Sequence, residues 1–498
     1  MKVLLIYPVC PDSYWSFKYA LKFIFKKAAI PPLGLITVSA MLPSSWEKKL
    51  VDMNVSKLRE RDIIWADYIF ISAMYIQKDS VNEVISTCKN HNKKIVAGGP
   101  YFTQEFKNFP HIDHLVLNEA EITLPIFLKD LQSGNAKQIY KTNEFADLSQ
   151  TPTPDYQLLK RNKYAYMNVQ VSRGCPFSCN FCEITALFGS KVRMKSSVQV
   201  NNELQTLYNL KWRGSVFIVD DNFIGNKNEV KKNLLPSMKK WMQLHKYPFV
   251  FNTETSINIA DDEELMSLMT EAGFNSTFIG IETPEEESLL ECNKVQNKNR
   301  NLLESVQKIQ RAGLQVSGGF IVGFDSDSSS VFQRQIDFIQ HSGIVSAMVG
   351  LLNAPKNTKL YQQLESENRL IKQASGNNTD LTMNFIPKMN YHDLISGYKR
   401  IITEIYATKP YYKRVRLLLS NYKNKYKGHT NISFKLLLSA LKSVFIIGFF
   451  SKGRIEYWKL IFWTLIKQPG LIVDAITFTV FGYHYRKVFG LSKRLRNV

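Results

Sequence analysis

Three cysteines, Cys175, Cys179 and Cys182, stand in the run VSRGCPFSCNFCEITALFG (171–189), and their spacing constrains this chain more than any other feature. Thiolates are soft donors that suit iron–sulfur clusters. Three of them on one loop can ligate three irons of a [4Fe–4S] cluster and leave the fourth iron open for a small ligand. Structural zinc asks for four ligands, usually in CxxC pairs, and no second pair or nearby His accompanies this loop. The remaining cysteines, Cys10, Cys88 and Cys292, are scattered and read as ordinary buried residues. A secreted disulfide framework would be patterned differently.

The segments around this loop alternate between strand and helix, which predicts an α/β chain. In residues 1–140 short apolar runs at 3–7, 68–72, 94–97 and 114–117 read as strands, and 32–42, 80–90 and 121–132 as helices. This alternation argues a doubly wound parallel sheet. Ligands on such sheets sit outside the carboxyl ends of the strands. Those ends are Tyr7-Pro8, Ser72-Ala73-Met74, Gly98-Gly99-Pro100 and Asn118-Glu119. Residues 141–165 are polar, contain two prolines and read as a linker. In 166–390, strands at 167–172, 215–220, 249–253, 276–280, 315–322 and 346–352 alternate with helical segments such as 261–272 and 300–312. Six strands with helical crossovers suggest a partial (β/α)6 barrel with its chemistry at the C-terminal strand ends.

Residues 391–498 read as helical, with 434–450 and 457–481 rich in Leu, Ile, Phe and Trp. The chain of 498 residues carries a formal net charge of +21, and much of it lies here: 411–498 holds 17 Lys or Arg against Glu456 and Asp474. Lys435, Lys442, Lys452, Arg454, Lys459 and Lys467 interleave with Phe445, Phe449, Phe450, Tyr457, Trp458, Phe462 and Trp463. Such a segment fits a helix lying in an anionic membrane interface and equally an amphipathic core helix with a solvated basic face. It is too apolar for an RNA surface, and no RNA module is evident. No run reaches the ~18 uncharged apolar residues of a spanning helix. The expected location is cytoplasmic, with peripheral contact at the inner face of a membrane left open.

The whole chain resembles the cobalamin-binding radical S-adenosylmethionine (SAM) enzymes, in the subgroup that includes the hopanoid C-2 and C-3 methylases. The shared stretches are PPLGLITVSA (31–40), ISAMYIQ (71–77), AGGP (97–100), RGCPFSCNFCEITALFG (173–189), VDDNF (219–223), FIGIET (278–283), GGFIVGFDSD (318–327), NFIPKM (384–389) and FGYHYRKV (481–488). The resemblance implies that Cys175, Cys179 and Cys182 hold the cluster and that SAM binds its open iron. Phe181 would sit by the adenine. Asp220 and Asp221 would stand near the methionine amine, with Glu282, Gly319 and Gly323 lining the SAM pocket. Asp220 and Asp221 could equally cap the next segment, Glu282 could be a structural ion pair, and the glycines could serve close packing.

By the same resemblance the N-terminal sheet binds cobalamin, near Ser72, Met74, Tyr75, Gly98, Gly99 and Pro100. A DxHxxG motif is absent, and Asp52-Met53-Asn54 puts Asn in the His place. This departure puts a His–cobalt bond in doubt and leaves Met74 or Tyr75 facing the cobalt. The implied activity is methylation of an unactivated carbon. SAM is cleaved reductively to a 5′-deoxyadenosyl radical, hydrogen is abstracted from the substrate, and a methyl group comes from methylcobalamin, which a second SAM restores. The implied partners are a small-molecule or lipid substrate and an electron donor such as a flavodoxin or ferredoxin. Two rivals stay open: a rearrangement without methyl transfer, and tRNA modification.

Overall fold

The computed structural model describes residues 1–371, 375–377, 379–425 and 434–491. Parts of the predicted helical region, 426–433 and 492–498, and the side chain of Lys435 lie outside the described residues.

Two six-stranded parallel sheets carry the architecture. The first contains β1 (Lys2–Tyr7), β2 (Glu47–Asp52), β3 (Tyr68–Ser72), β4 (Lys94–Gly98), β5 (His114–Val116) and β6 (Ile139–Tyr140), in the order β2-β1-β3-β4-β5-β6. Its central strands read as unbroken apolar runs because both faces are covered. Leu4 and Ile6 face one buried cluster, Val3 and Leu5 the other. Strand β2 was not legible as a strand: EKKLVD is charged because it is an edge, exposed along its first half. It pairs in parallel with β1, Lys2 opposite Glu47. The order reverses between β1 and β3, and this switch point opens a crevice at the carboxyl ends.

The second sheet follows the order β14-β13-β12-β11-β10-β7. Its strands are β7 (Met167–Val169), β10 (Gly214–Ile218), β11 (Phe249–Glu254), β12 (Phe274–Glu282), β13 (Gln315–Val322) and β14 (Ala347–Leu351). Each strand pairs in parallel with its neighbour, and β7 and β14 remain edges, so this is an open six-stranded barrel. The predicted strand 167–172 breaks in two: β8 (Ser172–Arg173) turns away to pair antiparallel with β9 (Arg193–Met194). Burial alternates along β11, with Phe249, Phe251 and Thr253 fully buried and Val250, Asn252 and Glu254 partly buried. Trp241 of the helix Leu235–Leu244 stacks on Phe249 at 5.5 Å and covers the buried face.

The C-terminal helices share one core with the barrel. Tyr406 donates to the carbonyl of Ala347 at 2.6 Å, and Tyr485 to Ser346 Oγ at 2.8 Å. Tyr14 stacks on Tyr485 at 4.4 Å, and His484 Nε2 donates to the Tyr14 carbonyl at 3.0 Å. The predicted linker is also packed: Tyr164 donates to Asp52, and Asp155 pairs with Lys48. Among the described residues no helix is long and apolar enough to cross a membrane.

Candidate active site

The cluster loop leaves β8 at Gly174. Its φ of +90° is one that L side chains resist, and a Cβ there would meet the Lys191 carbonyl oxygen at 2.8 Å. The loop is then pinned from outside. Asn180 N–H donates to the Cys292 carbonyl at 3.0 Å and its amide to the Glu291 carbonyl at 2.9 Å. Asn293 donates to the Ser178 carbonyl, and Lys359 to Ser178 Oγ. The three cysteines are half-exposed, whereas Cys88 and Cys292 are buried. Burial raises all three thiols, Cys182 to about 12. They need a positive charge to ionise. Lys294, beside Cys179, is one such charge, held above its ordinary value against burial by Glu282 and Cys179.

Carboxylates end three adjacent strands. Asp220 follows β10, is 1% exposed, and accepts from Val171 N–H at 2.7 Å and Ser172 Oγ at 2.6 Å. Both of its donors directly precede the cluster loop, so Asp220 braces that loop. Asp221 accepts from Gly174 N–H at 3.2 Å. Glu254 ends β11. Burial, then Asp221 and Asp220, push its carboxyl up to about 8, and burial pushes Asp220 to about 7 and Asp221 to about 6. Glu282 ends β12 with φ +64° and binds Lys294 at 2.6 Å.

The other predicted positions separate by place. Phe181 is half-buried with its ring 6.4 Å from Phe324. Gly319 makes room for a ring, since a Cβ there would meet Phe278 at 2.8 Å. Gly323 N–H donates to Asp327 at 2.8 Å. Ser72, Met74, Gly98, Gly99 and Pro100 line one cavity of about 380 Å³ at the carboxyl ends of the first sheet. Tyr75 instead lines a neighbouring cavity of about 190 Å³, which Met74 and Pro100 also reach. Asn54 is turned inward: it bonds Asp52, the Pro8 carbonyl and Cys10 N–H and lines neither cavity.

The larger cavity also meets the second sheet, through Asn168, Gln170, Arg173 and Val219. Its wall is an ion-pair network. Arg173 reaches Glu119 at 3.0 Å and Glu121 at 2.8 Å, and Arg193 reaches Glu119 at 2.8 Å. Arg173 thereby ties the residue before the cluster loop to the first sheet.

Residues 169–339 match the Radical SAM superfamily, and 358–496 a domain of unknown function, DUF4070. Over 495 residues the chain is 42% identical to an uncharacterized methyltransferase of Synechocystis sp., covering 97% of this chain and 91% of that one. Over 418 residues it is 30% identical to the hopanoid C-2 methylase of Rhodopseudomonas palustris, covering 83% of this chain and 78% of that one. The chain belongs to the methyltransferase family that includes the hopanoid C-2 methylase, and it carries a radical SAM domain.

The family fold extends over both sheets and the helical region. The structure of OxsB with aqua-cobalamin and SAM bound aligns with a TM-score of 0.63 at 14% identity, covering 98% of this chain and 80% of that one. That of TsrM from Kitasatospora setae, with cobalamin and a [4Fe–4S] cluster bound, aligns at 0.60 and 12%, covering 98% and 99%. Those two proteins between them bind a [4Fe–4S] cluster, SAM and cobalamin.

The residues present fit these groups. The three thiols lie within electrostatic range of one another, while among the described residues no three His, Cys, Asp or Glu side chains close around a single ion. In the larger cavity, Asn118 Oδ1 and Asn168 Oδ1 are buried without a hydrogen-bond partner. Buried acceptors of this kind call for donors, and the amide-fringed rim of a corrin supplies them. A Cβ on Gly34, on the same wall, would enter open space.

Sequence reasoning missed Glu254, Lys294, Arg173 and Arg193. Glu254 was within reach, since the strand run FVFNTE ends on it. The others depend on pairings across the fold. The carboxylate group has a pH consequence. Glu254, Asp220 and Asp221 are raised in the folded state, so their contribution to stability is full below about pH 4 and is lost as pH rises through about 6 to 8. The cofactor-free protein is expected to lose thermal stability between about pH 5 and pH 8, and Glu254→Gln to flatten that loss. Thermal denaturation under anaerobic conditions across that range checks this; a flat wild-type profile would refute it.

Proposed function

We propose that this protein methylates an unactivated carbon of a hydrophobic, lipid-like substrate and works in peripheral contact with an anionic membrane surface. The observation that carries the reading is the shared cavity: the carboxyl ends of the first sheet open toward the start of the cluster loop, and residues of both sheets line it. We assign 1–140 to cobalamin, 166–390 to the cluster and SAM, 141–165 to the connection and 391–498 to a helical region. When bound, the cluster supplies the electron that cleaves SAM to a 5′-deoxyadenosyl radical, and cobalamin supplies the methyl group.

The chain's own residues hold and shield. Cys175, Cys179 and Cys182 are the cluster ligands. Phe181, Asp221 and Glu282, with the Gly319–Gly323 stretch, border the SAM side, where Glu254 and Asp221 offer carboxylates to a cationic ligand. Ser72, Met74, Gly98, Gly99 and Pro100 border the corrin side, and Tyr75 closes the adjoining cavity. Asn54, turned inward and lining neither cavity, would not contact a bound cobalamin. A small electron carrier of the flavodoxin or ferredoxin kind delivers the electron.

The test is anaerobic reconstitution with iron, sulfide and hydroxocobalamin, followed by turnover with methyl-labelled SAM and a lipid extract. Labelled lipid is expected. Cleavage of SAM with label absent from every product would replace methyl transfer by rearrangement, and label in a soluble metabolite would remove the lipid.

A further inference from the structure

A third cavity, of about 260 Å³, lies away from the strand ends, between the N-terminal segment 17–29, the start of β7 and the helices Phe434–Ser443 and Ile472–Val488. Phe17, Leu21, Leu436, Ala440, Ile476 and Phe481 make its wall almost wholly apolar. Native interiors close such voids, because an apolar cavity costs stability in proportion to its volume. An apolar wall also keeps water out and favours an apolar guest.

The mouth of this cavity is on the surface. Ile24 lines it and is exposed, and Phe25, Leu437 and Leu441 stand exposed beside lining residues. From there an apolar face runs along the next two helical segments. Phe445 meets Phe450 ring to ring at 4.8 Å, and Phe449 meets Trp458, which stacks on Phe462 at 5.7 Å. Phe450 is 73% and Ile466 75% exposed. A contiguous exposed apolar face of this kind marks an interaction surface.

Its charges indicate the partner. Lys22, Lys452, Arg454, Lys459 and Lys467 are exposed around it. Lys442 lies 4.9 Å over the Phe25 ring and donates to the Lys22 carbonyl. The acids of 434–488 are Glu456, paired with Lys459, and Asp474, bonded to Gln315. Large apolar side chains with a cationic rim match the interface of an anionic bilayer.

The apolar cavity adjoins the 380 Å³ cavity along the chain. Phe17 is 6.3 Å from Trp15, whose ring meets Phe278 of β12 edge-on at 5.4 Å. Tyr166 lines the apolar cavity, and Asn168 and Gln170, the next residues by alternation, line the 380 Å³ cavity. The backbone from Ala29 to Pro31 separates the two spaces.

We propose that this cavity binds the hydrocarbon end of a membrane lipid, which enters from an anionic bilayer docked on the face between Leu437 and Lys467. The proposal rests on the lipid-methylation reading only for what happens at the lipid's other end. Its test needs no turnover. The full-length reconstituted protein is mixed with phosphatidylglycerol-containing vesicles or with pure phosphatidylcholine vesicles, and cis-parinaric acid fluorescence reports the cavity.

Binding to the anionic vesicles is expected, weakening with salt. The variant Phe450→Glu/Ile466→Glu is expected to lower the bound fraction at least tenfold. Ala440→Trp, which fills the cavity, is expected to weaken parinaric acid binding at least tenfold. Ile476→Phe repeats the cavity test if Ala440→Trp lowers the denaturation temperature. The proposal is overturned if wild-type protein ignores anionic vesicles, or if folded cavity variants bind parinaric acid as wild type does. Self-association lost on Phe450→Glu/Ile466→Glu, without vesicle binding, would assign the face to a second copy and also overturn it. Failure of methyl transfer with these two results intact would refute the reaction and leave the lipid site standing.

Discussion

Cys179→Ala protein, reconstituted anaerobically with iron and sulfide, is expected to lose its [4Fe–4S] absorbance and electron paramagnetic signal. Reductive cleavage of SAM should fall at least about 100-fold, since even outer-shell changes at metal sites cost about 10–100-fold. In the proposed site three protein ligands would hold three irons, and losing one would leave two irons without a protein donor. The loop itself should survive. Its hydrogen bonds to the rest of the fold run through Asn180, Ser178 and Asn293, and the Cys179 sulfur accepts a long 3.9 Å contact from Gln296. Thermal denaturation of the cofactor-free variant should therefore match cofactor-free wild type. A variant that folds and still cleaves SAM at the wild-type rate would remove Cys179 from the cluster.

Arg173→Ala is expected to produce the largest loss of stability. Arg173 is 12% exposed and its partners Glu119 and Glu121 are 4% and 6% exposed. Its guanidinium also donates to Gln170 at 2.9 Å. Breaking a buried pair by removing one partner costs about 3–5 kcal/mol, because the other charge stays buried. Glu119 would retain Arg193, but Glu121 would lose its guanidinium and keep neutral donors such as Thr151 Oγ1 at 2.9 Å. Arg173→Lys restores charge without the two-pronged geometry and should recover only part of the loss. Arg173→Met/Glu121→Gln should be milder than Arg173→Ala, because no carboxylate at 121 is then left unpaired. Hydroxocobalamin uptake should fall with Arg173→Ala, since Arg173, Glu119 and Glu121 all line the larger cavity. Chemical denaturation and cobalamin absorbance measure both effects. Unchanged values in each would show that the network holds neither the fold nor the cavity.

Much of the site was legible because its parts are local. The three cysteines share one loop, and the strand ends at Ser72, Gly98 and Asn118 each follow an apolar run with a turn residue. They line one cavity because parallel strands place all their carboxyl ends on one side. Asp220 shows the limit of such reading. Its position at a strand end was plain, yet which donors it meets depends on β8 turning back beside it. The resemblance places Gly319 by the SAM pocket, and only the fold shows that the ring filling the space of its missing Cβ, Phe278, sits on the neighbouring strand.

The sequence by itself determined the class of chemistry and the succession of strands and helices, since thiolate spacing and hydrophobic period are properties of neighbouring residues. The tertiary structure alone decided which carboxylates face one another, that Arg173 grips Glu119 from 54 residues away, and that His484 reaches Tyr14 across 470 residues. Such pairings follow from strand register and from the meeting of distant segments in one core. Neither leaves a periodic trace in the chain, because each is fixed by the free energy of the assembled fold.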